Sequence, residues 1–415
     1  MPRAGQARSR SGDRLTDRVG VGVLTRSFPP DLVDEVVAGE GRREQRSRLL
    51  PARMVVYYVM ALALFASDSY EEVMRRLVQG LAWTARWQGT WRVPSSPAIS
   101  KARARLGPGV LAALFDRACV PVAAPDTPGA FYRSWRLVAV DGTTFDVPDE
   151  EGNAARFGKP SNDQGPGAFP QVRLVALAEC GTHAVFAAAM DGIGVGEQEL
   201  LRRLLPKLGP GMLLVADRNF LGYDLWEAAA ATGADLLWRA KSDTRLPVVT
   251  ELPDGSYLSY LVKPRTRGRG KRIAVRVVEY TLQASESEHP HKAGEVYRLV
   301  TTILDPDTAA AADLAQTYAQ RWEIESVFDE IRTHQLDARP VLRSRDPDGV
   351  EQEIWGILLL HHAIRDLIHT SAAGAGIDPD RVSFTRALRA ARRQVSYQAG
   401  LSPLRPAPRP PRRRH

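Results

Sequence analysis

Apolar positions change their spacing along the chain, and each change predicts a different kind of element. Between residues 28 and 120 they recur every three or four positions, in "PPDLVDEVVAGEG", in "LLPARMVVYYVMALALFASDSYEEVMRRLVQGLAW" and, after the turn "RVPSSPAIS", in "KARARLGPGVLAALFDRACV". That interval predicts helices, grouped as a separate module. The Pro/Gly-rich "PVAAPDTPGAFYRS" closes the block as a linker. Beyond it come short β-branched runs bounded by Gly and Asp, which predict strands at "RLVAVDGTTFDV", "QVRLVALAEC" and "AVFAAAMDG". "GEQELLRRLLPKL" returns to helical spacing, "GMLLVADRNF" to strand, "GYDLWEAAAATG" to helix and "DLLWRAKSD" to strand.

The resulting order is βββαβαβ. Three strands joined by short turns, followed by α/β alternation, describe a mixed sheet flanked by helices, as in the ribonuclease H-like fold. Residues 247–304 interrupt the alternation with "SYLSYLV", "KRIAVRVVEYTL" and "EVYRLVTTIL", which predict an antiparallel β insertion before the last core helix. The expected organisation is therefore a disordered basic arm over 1–27 and an N-terminal helical domain over 28–120. A catalytic core over 133–246 and 305–370 is split by the insertion, and a helix with a basic Pro/Arg tail fills 371–415.

The closing helix, "YAQRWEIESVFDEIR", carries two stripes. At about 100° per residue Tyr318, Arg321, Glu325 and Arg332 fall within roughly a 60° arc, beside an apolar arc of Ile324, Val327, Phe328 and Ile331. On its own this is an amphipathic surface helix with a charged face.

Composition narrows the function classes. The chain of 415 residues is 44% apolar and 25% charged, enough for substantial cores in two or three domains. Two cysteines, Cys119 and Cys180, cannot build a disulfide framework and form no C-x-x-C zinc pair, which fits a reducing compartment. The longest apolar run, Met54 to Ala66, falls short of the roughly 20 residues that span a bilayer, so no membrane association is expected. Net charge is +8, and a pI near 9.6 favours polyanionic partners. Cations concentrate in "KPRTRGRGKR", which holds Arg265, Arg267, Arg269 and Lys271, and in the tail "RPAPRPPRRRH". The first lies between two predicted strands and reads either as a β-ribbon tip that follows a phosphate backbone or as a solvated loop. The tail reads as solvated charge.

Asp141 ends the apolar run "LVAV" and Asp217 ends "LLVA", so each sits where a predicted strand leaves the sheet. Either alone could cap a turn. In a ribonuclease H-like sheet the first and fourth strands are neighbours, which brings the two together, and paired anions repel unless a cation lies between them. Glu325 supplies a third carboxylate. Such an oxygen set suits Mg²⁺ or Mn²⁺ rather than zinc, and two such ions serve phosphodiester cleavage and strand transfer. His289, His291, His361 and His362 come in pairs without the spacing of a metal motif, and Trp238 and Trp322 read as core.

"VAVDGTTFDVPD", "LLVADRNF" and "YAQRWEIESVFDEIR" resemble the three active-site motifs of DDE transposases of the insertion-sequence-four family. The last is similar to that family's Y-(2)-R-(3)-E-(6)-K pattern, with Tyr318, Arg321 and Glu325 in register and Arg332 in place of lysine. The resemblance runs from about 45 to 370. It implies a cut-and-paste transposase with Asp141, Asp217 and Glu325 as catalytic metal ligands for Mg²⁺ or Mn²⁺, held as two ions. Tyr318, Arg321 and Arg332 would then contact DNA phosphates. It further implies that water cuts one strand and the freed 3′-OH forms a hairpin or attacks target DNA, with no covalent protein intermediate. Tyr297 lies where related enzymes place an aromatic ring against a flipped base, although sheet packing accounts for it as well. The implied partners are terminal inverted repeats, target DNA and a second copy of the chain, in a cytoplasmic, nucleoid-associated protein. Arg332 and the abrupt tail leave open a DNA-binding copy that no longer cuts, or an inhibitor of transposition.

Overall fold

The computed structural model describes residues 21–44, 50–80, 93–162, 165–263, 270–281, 296–338 and 340–394. Six helices come first: α1 (Val21–Ser27), α2 (Pro30–Gly39), α3 (Ala52–Leu64), α4 (Tyr70–Gly80), α5 (Ser96–Leu106) and α6 (Gly109–Ala118). The core then runs β1 (Phe131–Tyr132), β2 (Trp135–Asp146), α7 (Glu151–Phe157), a ribbon of β3 (Ser161–Asn162) and β4 (Gly165–Pro166), β5 (Gln171–Glu179), β6 (Val185–Gly192), α8 (Glu197–Leu204), β7 (Met212–Ala216), α9 (Tyr223–Ala230) and β8 (Asp235–Arg239). The insertion gives β9 (Thr250–Glu251), β10 (Tyr257–Val262), β11 (Arg272–Thr281) and β12 (Val296–Thr301). It is followed by α10 (Ala311–Ala319), α11 (Trp322–Asp329), a π-helical turn over Glu330–Gln335, α12 (Pro347–Ala375) and α13 (Phe384–Gln394). Among the described residues no helix is long and apolar enough to cross a membrane.

One mixed sheet has the order β6-β5-β2-β7-β8-β12-β11-β10-β9. Its first five strands follow the ribonuclease H-like order expected from the sequence, with β2 and β7 adjacent and parallel. The insertion prolongs the same sheet, because β12 pairs antiparallel with β8, Val300 opposite Trp238. One connection differs from expectation: β2 and β5 are joined by α7 and the β3–β4 ribbon rather than by a short turn.

The sheet has two apolar faces. Leu137, Ala139, Leu213 and Val215 share a core with α3, α11 and α12, while Val138, Val140, Leu214 and Ala216 share the other with α8 and α9. This is the period-2 alternation of a strand buried on both sides.

The N-terminal helices have no core of their own. α3 is apolar all round and buried all round, as such a helix must be, and it lies against α12. Gly356 of α12 makes the approach, since a Cβ there would come 2.9 Å from Val59 Cγ1 and from the Val59 carbonyl oxygen. Arg103 of α5, buried, donates to Gln352 Oε1 at 3.1 Å and to the Gly349 carbonyl at 2.7 Å. The helical block expected to stand apart is thus part of one cluster running from Val23 to Ala391. Residues 21–27, expected in a disordered arm, form α1, which buries Val23 and Leu24 and pairs Arg26 with Asp366 of α12 at 2.8 Å.

Candidate active site

The register of two strands positions the first two carboxylates. The parallel β2–β7 pairing ends at Val140 opposite Ala216, and Asp141 and Asp217 each lie one residue beyond. Both continue the odd-numbered alternation, which is the face covered by α11. Asp141 Oδ1 accepts from the Gly142 amide at 2.8 Å, and Asp217 Oδ1 accepts from the Asn219 amide at 2.8 Å. These local bonds fix the carboxylates at the strand ends.

The third carboxylate comes from α11, which packs on β2 through buried Ile324, Val327 and Phe328. Glu325 stands at the edge of that apolar stripe, its side chain 41% exposed. Arg321 lies between the groups: it donates to Glu325 Oε1 at 2.7 Å and its Nη1 is 3.7 Å from Asp141 Oδ2. Burial raises the Asp141 carboxyl to about 6; the Gly142 amide and Arg321 act against this, and Asp217 and Glu325 add to it. The site carries more negative charge than Arg321 offsets.

That excess is the test of fit for a divalent cation. Three carboxylates converge with no thiolate or imidazole among them, a donor set matched to hard ions such as Mg²⁺ and Mn²⁺. Burial destabilises their charge until a further cation arrives. The residues present fit the group.

The single charged stripe expected on the closing helix is not continuous. Gln320 and Arg321 bond back three residues, to the Thr317 and Tyr318 carbonyls at 3.1 and 3.0 Å, which overwinds the chain between α10 and α11. The π-helical turn then underwinds it, with Leu336 bonding back five residues to Ile331. A count at one fixed angle per residue fails across both breaks. Tyr318 is buried and its hydroxyl donates to the Ala216 carbonyl at 3.3 Å, so it supports the strand end next to Asp217 and is not presented to a phosphate. Arg332 is exposed on the π-helical turn and makes no ion pair among the described residues.

Other predicted contacts divide. Tyr297 is buried, its ring 5.4 Å from Tyr280 and with the Arg239 guanidinium 3.8 Å from its centroid, so it packs in the sheet and has no free face for a base. Lys271 is exposed where the β10–β11 hairpin closes, its carbonyl accepting from the Lys263 amide at 3.1 Å. Arg265, Arg267 and Arg269 lie outside the described residues. Trp238 is core, as expected, but Trp322 is 39% exposed beside Glu325. Helical position hid this, because Trp322 opens α11 on the side away from Ile324 and Val327.

Behind α11 lies a second group the sequence did not indicate. Ligand atoms of His183, Glu323 and Asp380 fall within 4.8 Å of one another. Arg365 donates to His183 Nδ1, which places the ring proton on Nε2, facing Asp380 Oδ1 at 3.4 Å and Glu323 Oε2 at 3.7 Å. Burial and the neighbouring Arg365 keep that imidazole neutral, well below its usual range, and burial lifts Glu323 to about 8. The ring therefore turns a hydrogen rather than a lone pair toward the carboxylates, a hydrogen-bonded clasp and not a metal centre.

Comparison with known proteins agrees with this geometry. The insertion element 4 transposase N-terminal family matches residues 18–116, and the transposase DDE domain family matches 134–362. The chain is 27% identical over 384 residues to the transposase InsG for insertion sequence element IS4 of Escherichia coli (strain K12), covering 91% of this chain and 83% of that protein. It is 23% identical over 212 residues to the putative transposase InsZ of the same organism, covering 51% of this chain and 68% of that protein. Among solved structures, the cryo-EM structure of a piggyBac transposase synaptic complex with hairpin DNA aligns over 91% of this chain and 80% of that one, with a TM-score of 0.45 and 11% identity. With the DDE domain family covering more than half of its length, the chain belongs to the DDE transposases of the insertion-sequence-four type, metal-dependent enzymes of DNA strand cleavage and transfer.

Proposed function

We propose that this transposase acts by cut-and-paste, cleaving the ends of its own element and joining the freed 3′-OH to target DNA, with Asp141, Asp217 and Glu325 holding two Mg²⁺ or Mn²⁺ ions. The observation that carries this reading is the shared end point of β2 and β7, which sets Asp141 and Asp217 side by side under α11. When bound, such ions activate an attacking oxygen and stabilise the leaving one.

The chain's own groups do the positioning. Arg321, already between Asp141 and Glu325, is a cation placed to take a non-bridging phosphate oxygen once those carboxylates are engaged. Arg332 and Lys271 offer exposed charge along the same DNA path, with Arg265, Arg267 and Arg269 extending it. Trp322 presents its ring beside Glu325. Tyr318 acts indirectly, by holding the end of β7. Each element has two ends to bring together, so two copies of the chain, one per end, form the working complex.

Duplexes bearing the element's terminal repeats test the reading. Asp141→Asn, Asp217→Asn and Glu325→Gln should each bind the ends and fail to cut them. Cleavage retained in any one purified variant removes that residue from the site. A wild-type chain that binds ends but cuts nothing in Mg²⁺ or Mn²⁺ would favour the non-cutting copy, the reading that Arg332 in place of lysine keeps open.

A further inference from the structure

We infer that Glu197 is a fourth carboxylate of the divalent-cation site, admitted to it by the missing side chain of Gly142; this rests on the metal site proposed above. A Cβ on Gly142 would lie 2.4 Å from Glu197 Oε1 and 2.8 Å from its Cδ. The carboxylate therefore occupies the space that any other residue at 142 would fill. Gly142 is not among the glycines with positive φ, so its backbone would accept an L side chain and space alone demands glycine there.

The topology explains how Glu197 reaches the site from the opposite face of the sheet. α8 covers the even-numbered face, its Leu200, Leu201 and Leu204 packed with Val138 and Val140. Up to Val140 the parallel partner β7 closes the sheet between α8 and α11. Past that pair β7 has ended, while β2 continues to Asp146 paired only with β5. The free edge from Asp141 onward is a notch, and at Gly142 it has no side chain to block it. Glu197, the first residue of α8, reaches this notch from one side as Asp141 and Asp217 reach it from the other.

Glu197 behaves as a group short of a partner. It is half-buried, and among the described residues its carboxylate accepts no hydrogen bond and makes no ion pair. The charges facing it are Arg173 and Asp217; burial and Asp217 raise its pKa, and Arg173 lowers it. Arg173 is engaged elsewhere, donating to the Val195 carbonyl at 2.6 Å. Half-burial of an unpaired carboxylate beside a second one is costly unless a cation joins them. Glu199, two residues on, is exposed and lies 4.0 Å from Arg202, so the property belongs to the position and not to the acidity of the helix start.

Mn²⁺ binding to the full chain without DNA, followed by the electron paramagnetic resonance of the free ion, tests this apart from activity. Glu197→Gln should weaken Mn²⁺ binding about tenfold or more, and Gly142→Ala should do the same by pushing the carboxylate out, with melting confirming that both are folded. Glu199→Gln should bind as wild type. Wild-type affinity in Glu197→Gln, with binding lost in Asp141→Asn, sinks the role of Glu197 and leaves the three-carboxylate site standing. Wild-type affinity in Asp141→Asn sinks the metal site itself. A lower melting temperature with unchanged Mn²⁺ affinity in Glu197→Gln, or an equal weakening in Glu199→Gln, also overturns the inference.

Discussion

Two ionic groups one helical turn apart, around Glu325 and around Glu330, are completed in opposite ways. Glu330 is buried and both its oxygens are occupied: Oε2 accepts from Arg365 Nε at 2.9 Å and from His361 Nε2 at 3.0 Å, and Oε1 is paired with Arg365 Nη2. Its charge is matched within the protein. At Glu325 a single guanidinium, Arg321, serves Glu325 and Asp141, with Asp217 adding to the negative charge. A charge matched internally fixes the fold and leaves nothing for a ligand, whereas one left unmatched costs stability and is where a ligand's cation and a phosphate backbone can add energy. The same helical segment thus anchors the core on one side and leaves the other open for chemistry.

The sharpest way to break this contrast is to unpair Glu330. Arg365→Ala leaves its carboxylate buried without a counter-ion and should lower unfolding free energy by about 3–5 kcal/mol, measured by urea denaturation. The double variant Glu330→Gln, Arg365→Met should recover most of it. A loss below about 1 kcal/mol, the range of exposed pairs, would show that the rear group is no anchor.

Acid tests the same group more gently. Burial holds the His361 imidazole down at about 3, against the usual 6.5, with His362 contributing. Its Nδ1 is buried without a hydrogen-bond partner, so a second proton would find no acceptor. The folded state binds this proton less readily than the unfolded chain. The stabilisation is complete above pH 6.5 and is lost as pH falls toward 3, at about 1.4 kcal/mol per unit, or about 2 kcal/mol by pH 5. His361→Gln should flatten that acid limb. An unchanged slope would mean His361 titrates normally in the fold.

At the open group the effects should be smaller and lie in binding. Arg321→Ala removes a pair whose Glu325 partner is 41% exposed, so stability should change by about 1 kcal/mol or less. With the guanidinium gone, Asp141 and Glu325 are free for Mn²⁺, and affinity without DNA should rise, by up to about fivefold on the same scale. Binding of end DNA should weaken at the same time. Weaker Mn²⁺ binding would recast Arg321 as a support of the site rather than a stand-in for its cation.

Much of the fold and three of the site's residues were legible because they depend on local pattern. "LVAVD" and "LLVAD" each announce a buried strand that ends on a carboxylate, and strand order alone made them neighbours. What depended on packing between distant segments was not legible. The apolar run of α3 says that the helix is buried, but only Gly356 against Val59 says that it is buried in the catalytic core. Glu197 looks like any acidic residue in the first turn of a helix until Gly142 is seen beside it. Tyr318 and Arg332 were drawn onto one stripe because a tight turn and a π-helical turn leave no mark in a 3.6-residue repeat.

The smallest expected effect concerns the residue where the family pattern has lysine. Arg332 is exposed, free of ion pairs among the described residues, and carried by the π-helical turn whose next buried acid is Glu330. The rear anchor thereby sets where this cation stands, one turn beyond the open site. Either basic residue can place one positive charge near a phosphate from there, the guanidinium with two hydrogen bonds and the ammonium as a point charge. Arg332→Lys should therefore cut and join within about twofold of wild type, a difference of about 0.4 kcal/mol. Arg332→Ala should lose one phosphate contact, lowering the slope of log affinity against log salt by about 1, and should weaken strand joining while leaving Mn²⁺ binding unchanged. If the alanine variant joins normally with an unaltered salt slope, the charge at 332 is only solvated and the DNA path ends at Arg321. If the lysine variant is instead far more active than the parent, arginine there is a defect, and the chain is a copy drifting toward binding without cutting.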